Sequence, residues 1–559
     1  MRPLRGKRLV YAVMVAWLAA VALPAGEPDR VQANRVIEFR FASTKVYADP
    51  FNTVELDAVF DLPDGRQERV PGFWDGGDTW RVRFASSQAG VYRYHTECSD
   101  TANRSLNGQV GMFQVKPYPG RNALYRHGPV RVAADKRHFE HADGTPFLWL
   151  ADTWWMGLCR RLQWPGEFKQ LTADRVAKGF NVVQIVAGLY PDMPAFDERG
   201  ANEAGFPWTR GYGRINPAYF DAADRRIAWL ADAGLAPCIV GAWGYHLPWL
   251  GVERMKQHWR YLVARYGAYP VFWCVAGEGL MPYYLSAHKA GDREFQRQGW
   301  SEVTAYLRRI DPYHHPISIH PTDLARTQLT DPALLDFDML QTGHSDRASI
   351  PNTITLVRRS RAAAPTMPTI NAEVCYEGIL GTCHADVERF MAWTCLLSGT
   401  AGHTYGANGI WQVNRREQPY GKSPHGGNWG TTPWDDAMRL PGSRQVGLAK
   451  GLLERYEWWR FEPHPAWAGF DGPGRADPFV VPYSAGIEGK TRIVFVPLAR
   501  AIVLRQLEPA LRYDAFYFNP TDGTTSEIGV KRSDARGNWI VPAPKTAAPD
   551  WVVVLEAVP

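Results

Sequence analysis

The sequence predicts an α/β protein: a (β/α)8 TIM barrel flanked by an N-terminal β-sandwich and a small C-terminal β-sandwich. Three observations carry this prediction. Through residues 122–463 eight apolar runs alternate with amphipathic helical segments, the rhythm of a parallel barrel. Residues 34–118 hold short alternating runs broken by turn residues, and residues 466–559 repeat that pattern, which describes sandwiches. At 559 residues the chain is too long for one ordinary domain.

Taken in order, residues 1–25 read as a signal peptide. Arg2, Arg5, Lys7 and Arg8 form a basic start, an apolar stretch runs from Leu9 to Leu23, and small residues surround Ala25. That stretch is short for a membrane span. The expected destination is secreted or periplasmic, with an uncleaved N-terminal anchor as the alternative. No other segment approaches 18 apolar residues, so no further membrane association is expected.

The first sandwich follows in "VIEFRF", "TVELDAVF", "TWRVRFA", "GVYRYHTEC" and "GMFQVKP", punctuated by Pro63-Asp64-Gly65 and Gly76-Gly77-Asp78. The eight barrel runs are "FLWLADTWW", "NVVQIVAGLY", "LAPCIVGAWG", "VFWCVAGEG", "HPISIHP", "FDMLQTGHS", "TINAEVCYEG" and "GHTYGANGIW". Helices are expected over residues 172–178, 221–233, 251–266, 293–310 and 385–397. No glycine-rich phosphate loop follows the first run, which argues against a doubly wound open sheet. The last domain shows in "FVVPYS", "TRIVFVPL", "YDAFYFNPTDG" and "WVVVLEA".

Composition narrows the function. A net charge of +6, with Lys and Arg scattered along the chain, lacks the basic stripe of a nucleic-acid binder. The 23 tryptophans exceed ordinary usage, and many sit beside Gly, Asp or His; flat indole faces serve as core packing or as platforms for sugar rings. The seven cysteines have no CxxC spacing, and no HExxH or Asp-rich loop occurs, so neither metal nor cofactor is expected. Cys375 and Cys383 are spaced for a local loop disulfide or stand as buried thiols.

In a barrel, chemistry gathers at the C-terminal ends of the strands. Those ends supply Asp152, Trp154 and Trp155; Gln184; Trp243, Tyr245 and His246; Glu278; His320; Gln341 and His344; Glu373 and Tyr376; and Tyr405. Trp411 and Trp429, in glycine-rich loops after the eighth run, are placed to wall a subsite. This mixture of aromatics, amides, imidazoles and carboxylates suits a polyhydroxylated ligand. Bland readings stand beside it: satisfied loop histidines for His246, His320 and His344, and rim packing for the tryptophans.

Two carboxylates stand out. Glu278 ends "FWCVAG" and Glu373 ends "TINA", on the fourth and seventh runs. Side chains there can flank one bond, as glycoside hydrolysis requires. A separation of about 5–5.5 Å would imply retention and about 6.5–9.5 Å inversion. Glu278 could instead be a cap or an ion-pair partner of Lys289 or Arg293, and Glu377 is the rival to Glu373.

The blocks "PFLWLADTWW", "RVAKGFNVVQIVAGLYP", "INPAYFDAADRRIAWLADAGL", "YGAYPVFWCVAGEG" and "PTINAEVCYEGI" resemble the apiosidase-like glycoside hydrolases. That resemblance implies a catalytic barrel between an N-terminal β-sandwich and a C-terminal collagen-binding-like β domain. It implies Glu278 as acid/base, Glu373 as nucleophile and Asp152 in the sugar pocket. One departure is notable: related retaining barrel enzymes carry Asn before the strand-four glutamate, where it contacts the sugar 2-hydroxyl. Here Gly277 stands there, so that contact must come from elsewhere or the sugar differs. The expected function is an exported, retaining, exo-acting glycosidase that takes a terminal sugar from a plant or bacterial polysaccharide. A non-catalytic carbohydrate-binding barrel and a transglycosylase are the alternatives.

Overall fold

The computed structural model describes residues 31–472, 477–545 and 549–558; the expected signal segment lies outside them. Eight parallel strands form the centre: β1 (Trp149–Trp154), β2 (Val182–Val186), β3 (Ala236–Val240), β4 (Phe272–Cys274), β5 (Ile317–Ser318), β6 (Asp338–Gln341), β7 (Thr369–Glu373) and β8 (Gly402–Tyr405). Their ladder order is β5-β4-β3-β2-β1-β8-β7-β6, each strand beside its neighbours in sequence around a (β/α)8 barrel. Every residue of these strands is buried, as expected for strands covered on both faces.

The β5–β6 seam has no ladder. Asp336 N donates to Ile317 O at 2.8 Å and Ser318 Oγ donates to Phe337 O at 2.7 Å. A difference in the connection accompanies this. Helices Gly166–Ala177, Pro217–Asp232, Val252–Tyr266, Lys289–Ile310, Ile350–Ala362, Ala385–Leu397 and Pro441–Leu453 follow the other strands, whereas β5 is followed only by the 3-10 turns Ala325–Thr327 and Pro332–Leu334.

The floor is sealed by a feature the sequence reading did not separate from the barrel, a three-stranded antiparallel sheet of Val130–Val132, Phe139–His141 and Pro146–Phe147. Phe139 meets Trp149, Phe272 and Phe337 at centroid distances of 6.0, 5.6 and 5.4 Å, which closes the end away from the strand C-termini.

On the N-terminal side, antiparallel sheets of three and four strands lie between Ile37 and Val115. They are clamped to the barrel by buried charge: Arg265 pairs with Asp75 and Asp224, both at 2.7 Å, and Arg83 reaches Asp224 at 2.6 Å. On the C-terminal side, antiparallel sheets of six and three strands form the second sandwich. Its six-stranded sheet takes in Glu462–Pro463, which pairs with Tyr483–Ile487. That sheet packs on helix Ala385–Leu397, where Trp393 stacks on Phe495 (5.9 Å, 3°) and Arg389 pairs with buried Asp550 at 2.5 Å. All seven cysteines are free and buried. Among the described residues no helix is long and apolar enough to cross a membrane.

Candidate active site

Backbone hydrogen bonding carries β4 past its last strand residue. Val275 N donates to Ser318 O (2.8 Å), Gly277 N to Ala242 O (2.9 Å) and His320 N to Ala276 O (2.8 Å). The run therefore stays in the barrel wall until Glu278, whose φ of +43° is the left-handed turn that ends it. A non-glycine residue held there stores strain, a feature that clusters at functional sites.

The turn aims Glu278 at Glu373, the last residue of β7. One side chain joins the two. Gln341 Nε2 donates to Glu278 Oε1 at 3.1 Å and to Glu373 Oε1 at 3.2 Å. Two legs meeting at one nitrogen keep those oxygens within about 6.3 Å.

The two carboxyls sit in opposite electrostatic settings. Burial raises the Glu278 pKa, and the negative Glu373 raises it further; hydrogen bonds from Gln341 and from Trp243 Nε1 (3.0 Å) offset only part of this. Glu373 is 5% exposed, and burial alone would raise it too. Instead His320 Nε2 at 3.2 Å, not aligned for a hydrogen bond, and His344 Nε2 at 2.8 Å outweigh burial and hold it at about 2. The His344 imidazole rises in turn: burial opposes its charge, but the bond to Glu373 prevails.

Around the pair lies a cavity of about 220 Å³. Trp155, Trp243 and Tyr376 line its inner wall, with Trp411 beside them. Tyr376 stacks on His344 (4.9 Å, 11°) and on Trp411 (5.9 Å, 24°), and Trp155 Nε1 donates to Tyr376 Oη at 2.7 Å. Of the expected site residues, Glu278, Glu373, Trp243, Gln341, His344, Tyr376 and Trp411 thus meet in one place, with His320 behind Glu373.

Five do not. Asp152 is fully buried and faces outward: its Oδ2 accepts from Arg175 Nε at 2.6 Å and Trp154 Nε1 at 2.8 Å, so it anchors helix Gly166–Ala177 and does not line the cavity. Trp154 shares that face and packs edge-on against Phe168 (5.6 Å, 89°). Gln184 is buried inside the barrel and donates to Ala372 O at 2.9 Å. His246 binds Tyr190 O at 3.0 Å, and burial pushes its pKa down to about 4. Tyr405 donates to Glu377 Oε2 at 2.6 Å. The same Glu377 accepts from Gly442 N at the start of helix Pro441–Leu453, so the rival to Glu373 is a helix cap.

The outer wall comes from loops with no periodic signal: Asp192 after β2, Tyr284 after β4, and His425 with Trp429 after β8. His425 lies between Tyr284 (5.2 Å) and Trp429 (5.6 Å). Asp192 is buried at φ +57° and accepts from Ser423 Oγ, which fastens the β8 loop to the β2 loop. Burial raises its pKa; hydrogen bonding from Ser423 and Trp429 offsets part of this. The sequence signal for Asp192 was its place in "YPDMP", a turn just beyond a strand end.

A family model, "Apiosidase-like, catalytic domain", matches residues 133–460. The chain belongs to this family. The apiosidase-like enzyme is on that ground a glycoside hydrolase, acting on carbohydrate. A domain of unknown function, DUF5060, matches residues 30–99, and no curated protein matches. Among solved structures, a glycoside hydrolase family 5 protein from Bacteroides vulgatus has a TM-score of 0.65 at 22% identity, covering 77% of this chain and 93% of that one. A second Bacteroides vulgatus protein, provisionally called a glycoside hydrolase, gives 0.66 at 19% identity over 94% and 99%. At these identities the likeness is one of fold, and it extends to the barrel and its flanking sheets.

Proposed function

We propose that this apiosidase-like enzyme is a retaining, exo-acting glycosidase, exported from the cell, that releases a terminal sugar from an oligosaccharide or polysaccharide. The supporting observation is the pair Glu278 and Glu373 bridged by one amide. Their oxygens, held within about 6.3 Å by that amide, lie below the ~6.5 Å at which a water fits between sugar and base, which favours retention. Pushing two neighbouring pKa values apart divides the roles of acid and nucleophile.

Glu278 enters the reaction protonated and Glu373 ionised. The Glu373 carboxylate attacks the anomeric carbon while Glu278 gives its proton to the departing glycosidic oxygen. Glu278, now anionic, takes a proton from water, whose oxygen attacks the same carbon and frees Glu373. The imidazoles of His320 and His344 keep Glu373 charged beforehand. Gln341 stands in for the asparagine displaced by Gly277: its Oε1 is buried without a partner and is free to accept the sugar 2-hydroxyl.

Exo action is supported by size. A cavity of about 220 Å³ lies below the ~300–1,000 Å³ of pockets for drug-sized ligands and suits a single ring. Export is supported by the basic and apolar pattern of the first 25 residues. The test is turnover by the wild type, E278Q and E373Q across a panel of aryl glycosides and plant-wall oligosaccharides. Each variant should lose on the order of 10²–10⁴-fold in kcat on natural leaving groups. Near-normal turnover in either variant would sink the assignment.

A further inference from the structure

A second cavity lies away from the active site. It is a cleft of about 720 Å³ where helices Ile350–Ala362 and Ala385–Leu397 meet the C-terminal sheets. Among the described residues four arginines line it, Arg137, Arg358, Arg361 and Arg500, against a single glutamate, Glu462.

That excess charge is incompletely answered. Glu462 pairs with Arg361. Arg137 donates to the Arg361 carbonyl at 3.0 Å and Arg500 to the Asp471 carbonyl at 3.2 Å, contacts that leave both guanidinium charges unneutralised. Arg358 is exposed and has no hydrogen bond or ion pair among the described residues. Burial, together with like charge from Arg137, lowers the Arg361 pKa although Glu462 pulls the other way. The cleft is therefore short of negative charge. It also has an apolar lining from Pro463, Pro465 and Phe470, the Phe470 ring carrying the Arg500 guanidinium 4.7 Å from its centre.

We propose that this cleft is a second carbohydrate site that binds an anionic glycan through its carboxylates. A planar guanidinium matches a carboxylate with two parallel hydrogen bonds, and the apolar lining of Pro463, Pro465 and Phe470 suits the C–H side of a sugar ring. The volume, within the ~300–1,000 Å³ of ligand clefts, holds more than one ring. A chain held here would be tethered to the enzyme while the catalytic cavity works elsewhere on the same polymer, which raises the effective concentration of chain ends.

The test is binding of oligogalacturonate to the full chain by titration calorimetry, beside a neutral galactan oligomer of equal length and a sulfated, heparin-derived oligomer. Two reversal variants accompany the wild type, Arg358→Glu and Arg500→Glu. Both residues are remote from Glu278 and Glu373, so hydrolysis of an aryl glycoside should not change. The proposal expects oligogalacturonate to bind at least tenfold more tightly than the neutral oligomer, with affinity falling as salt rises. Each reversal should weaken it at least tenfold, and E278Q should bind as the wild type does. Equal affinity for neutral and uronate oligomers would overturn it, as would wild-type binding by both reversals. Equal binding of the sulfated oligomer would reveal general anion attraction and overturn the carboxylate assignment. Loss of binding in E278Q would place the ligand in the catalytic cavity and overturn it as well.

Discussion

The indole of Trp243 fills the space that a side chain at position 277 would need: a Cβ added to Gly277 would lie 2.1 Å from Trp243 Cε3. The same indole donates to Glu278 Oε2 at 3.0 Å. The glycine before the acid is thus required by packing, since it lets a ring lie flat against the turn and hold the carboxyl. Gly279 is similarly confined, its Cβ position being 2.5 Å from Ile319 Cδ1.

Gly277→Ala should therefore displace Trp243 and uncouple it from Glu278. Overpacking of this kind costs about 1–3 kcal/mol of stability. The expected result is a lower melting temperature together with a fall in kcat, and weaker quenching of the site tryptophans on sugar binding. A variant with wild-type kcat and melting temperature would show that the ring has room to move.

Gln341→Leu removes the amide that bridges the carboxyls. A loss of about 10²-fold in kcat/KM is expected, equivalent to roughly 2.7 kcal/mol of transition-state stabilisation. If Gln341 also receives the 2-hydroxyl, the penalty should shrink on a 2-deoxy glycoside, because residue and hydroxyl act on one another. An equal penalty on both substrates would remove Gln341 from that role.

The pH dependence follows from the directions of the two shifts. In the proposed reaction Glu278 acts in its protonated form, so kcat/KM should hold below its raised pKa and fall as pH rises through it. Glu373 stays ionised down to about 2, so no acid limb from it appears at moderate pH. Stability carries the same sign. A carboxyl whose folded pKa is raised costs the fold nothing while protonated in both states, and destabilises it as pH rises through the folded value. E278Q should thus melt at or above the wild type at pH 8, and the difference should vanish near pH 4.

Asp152→Asn tests the reassignment of a residue expected in the sugar pocket. Asp152 and Arg175 are both 0% exposed and 2.6 Å apart. Breaking such a pair leaves a buried charge and costs about 3–5 kcal/mol. A large drop in melting temperature should accompany a nearly unchanged KM. A selective rise in KM with intact stability would return Asp152 to the substrate.

This reassignment shows what sequence could carry. The barrel was legible because its strands are apolar on both faces and helices separate most of them. For the same reason the strands show no in–out alternation, so nothing marked Asp152 and Trp154 as facing the helices. Tyr405 was misplaced in the same way, whereas Gln184 does face the barrel interior and is occupied there by Ala372 O. The reading also passed over two helices. Ile350–Ala362 is rich in Ile, Thr and Val, which read as strand, and Pro441–Leu453 contains three glycines. Glu278 and Glu373 could be found because each ends an apolar run, a signal that depends on position and not on facing. Asp192, Tyr284 and His425 come from long loops, where only the folded chain brings them to the cavity.

The most direct test of the central claim, that Glu278 and Glu373 act as a retaining pair, is proton NMR of the first sugar released from an aryl glycoside, recorded before mutarotation. The amide-bridged geometry predicts that the first-formed anomer has the configuration of the substrate. Release of the opposite anomer would contradict the account.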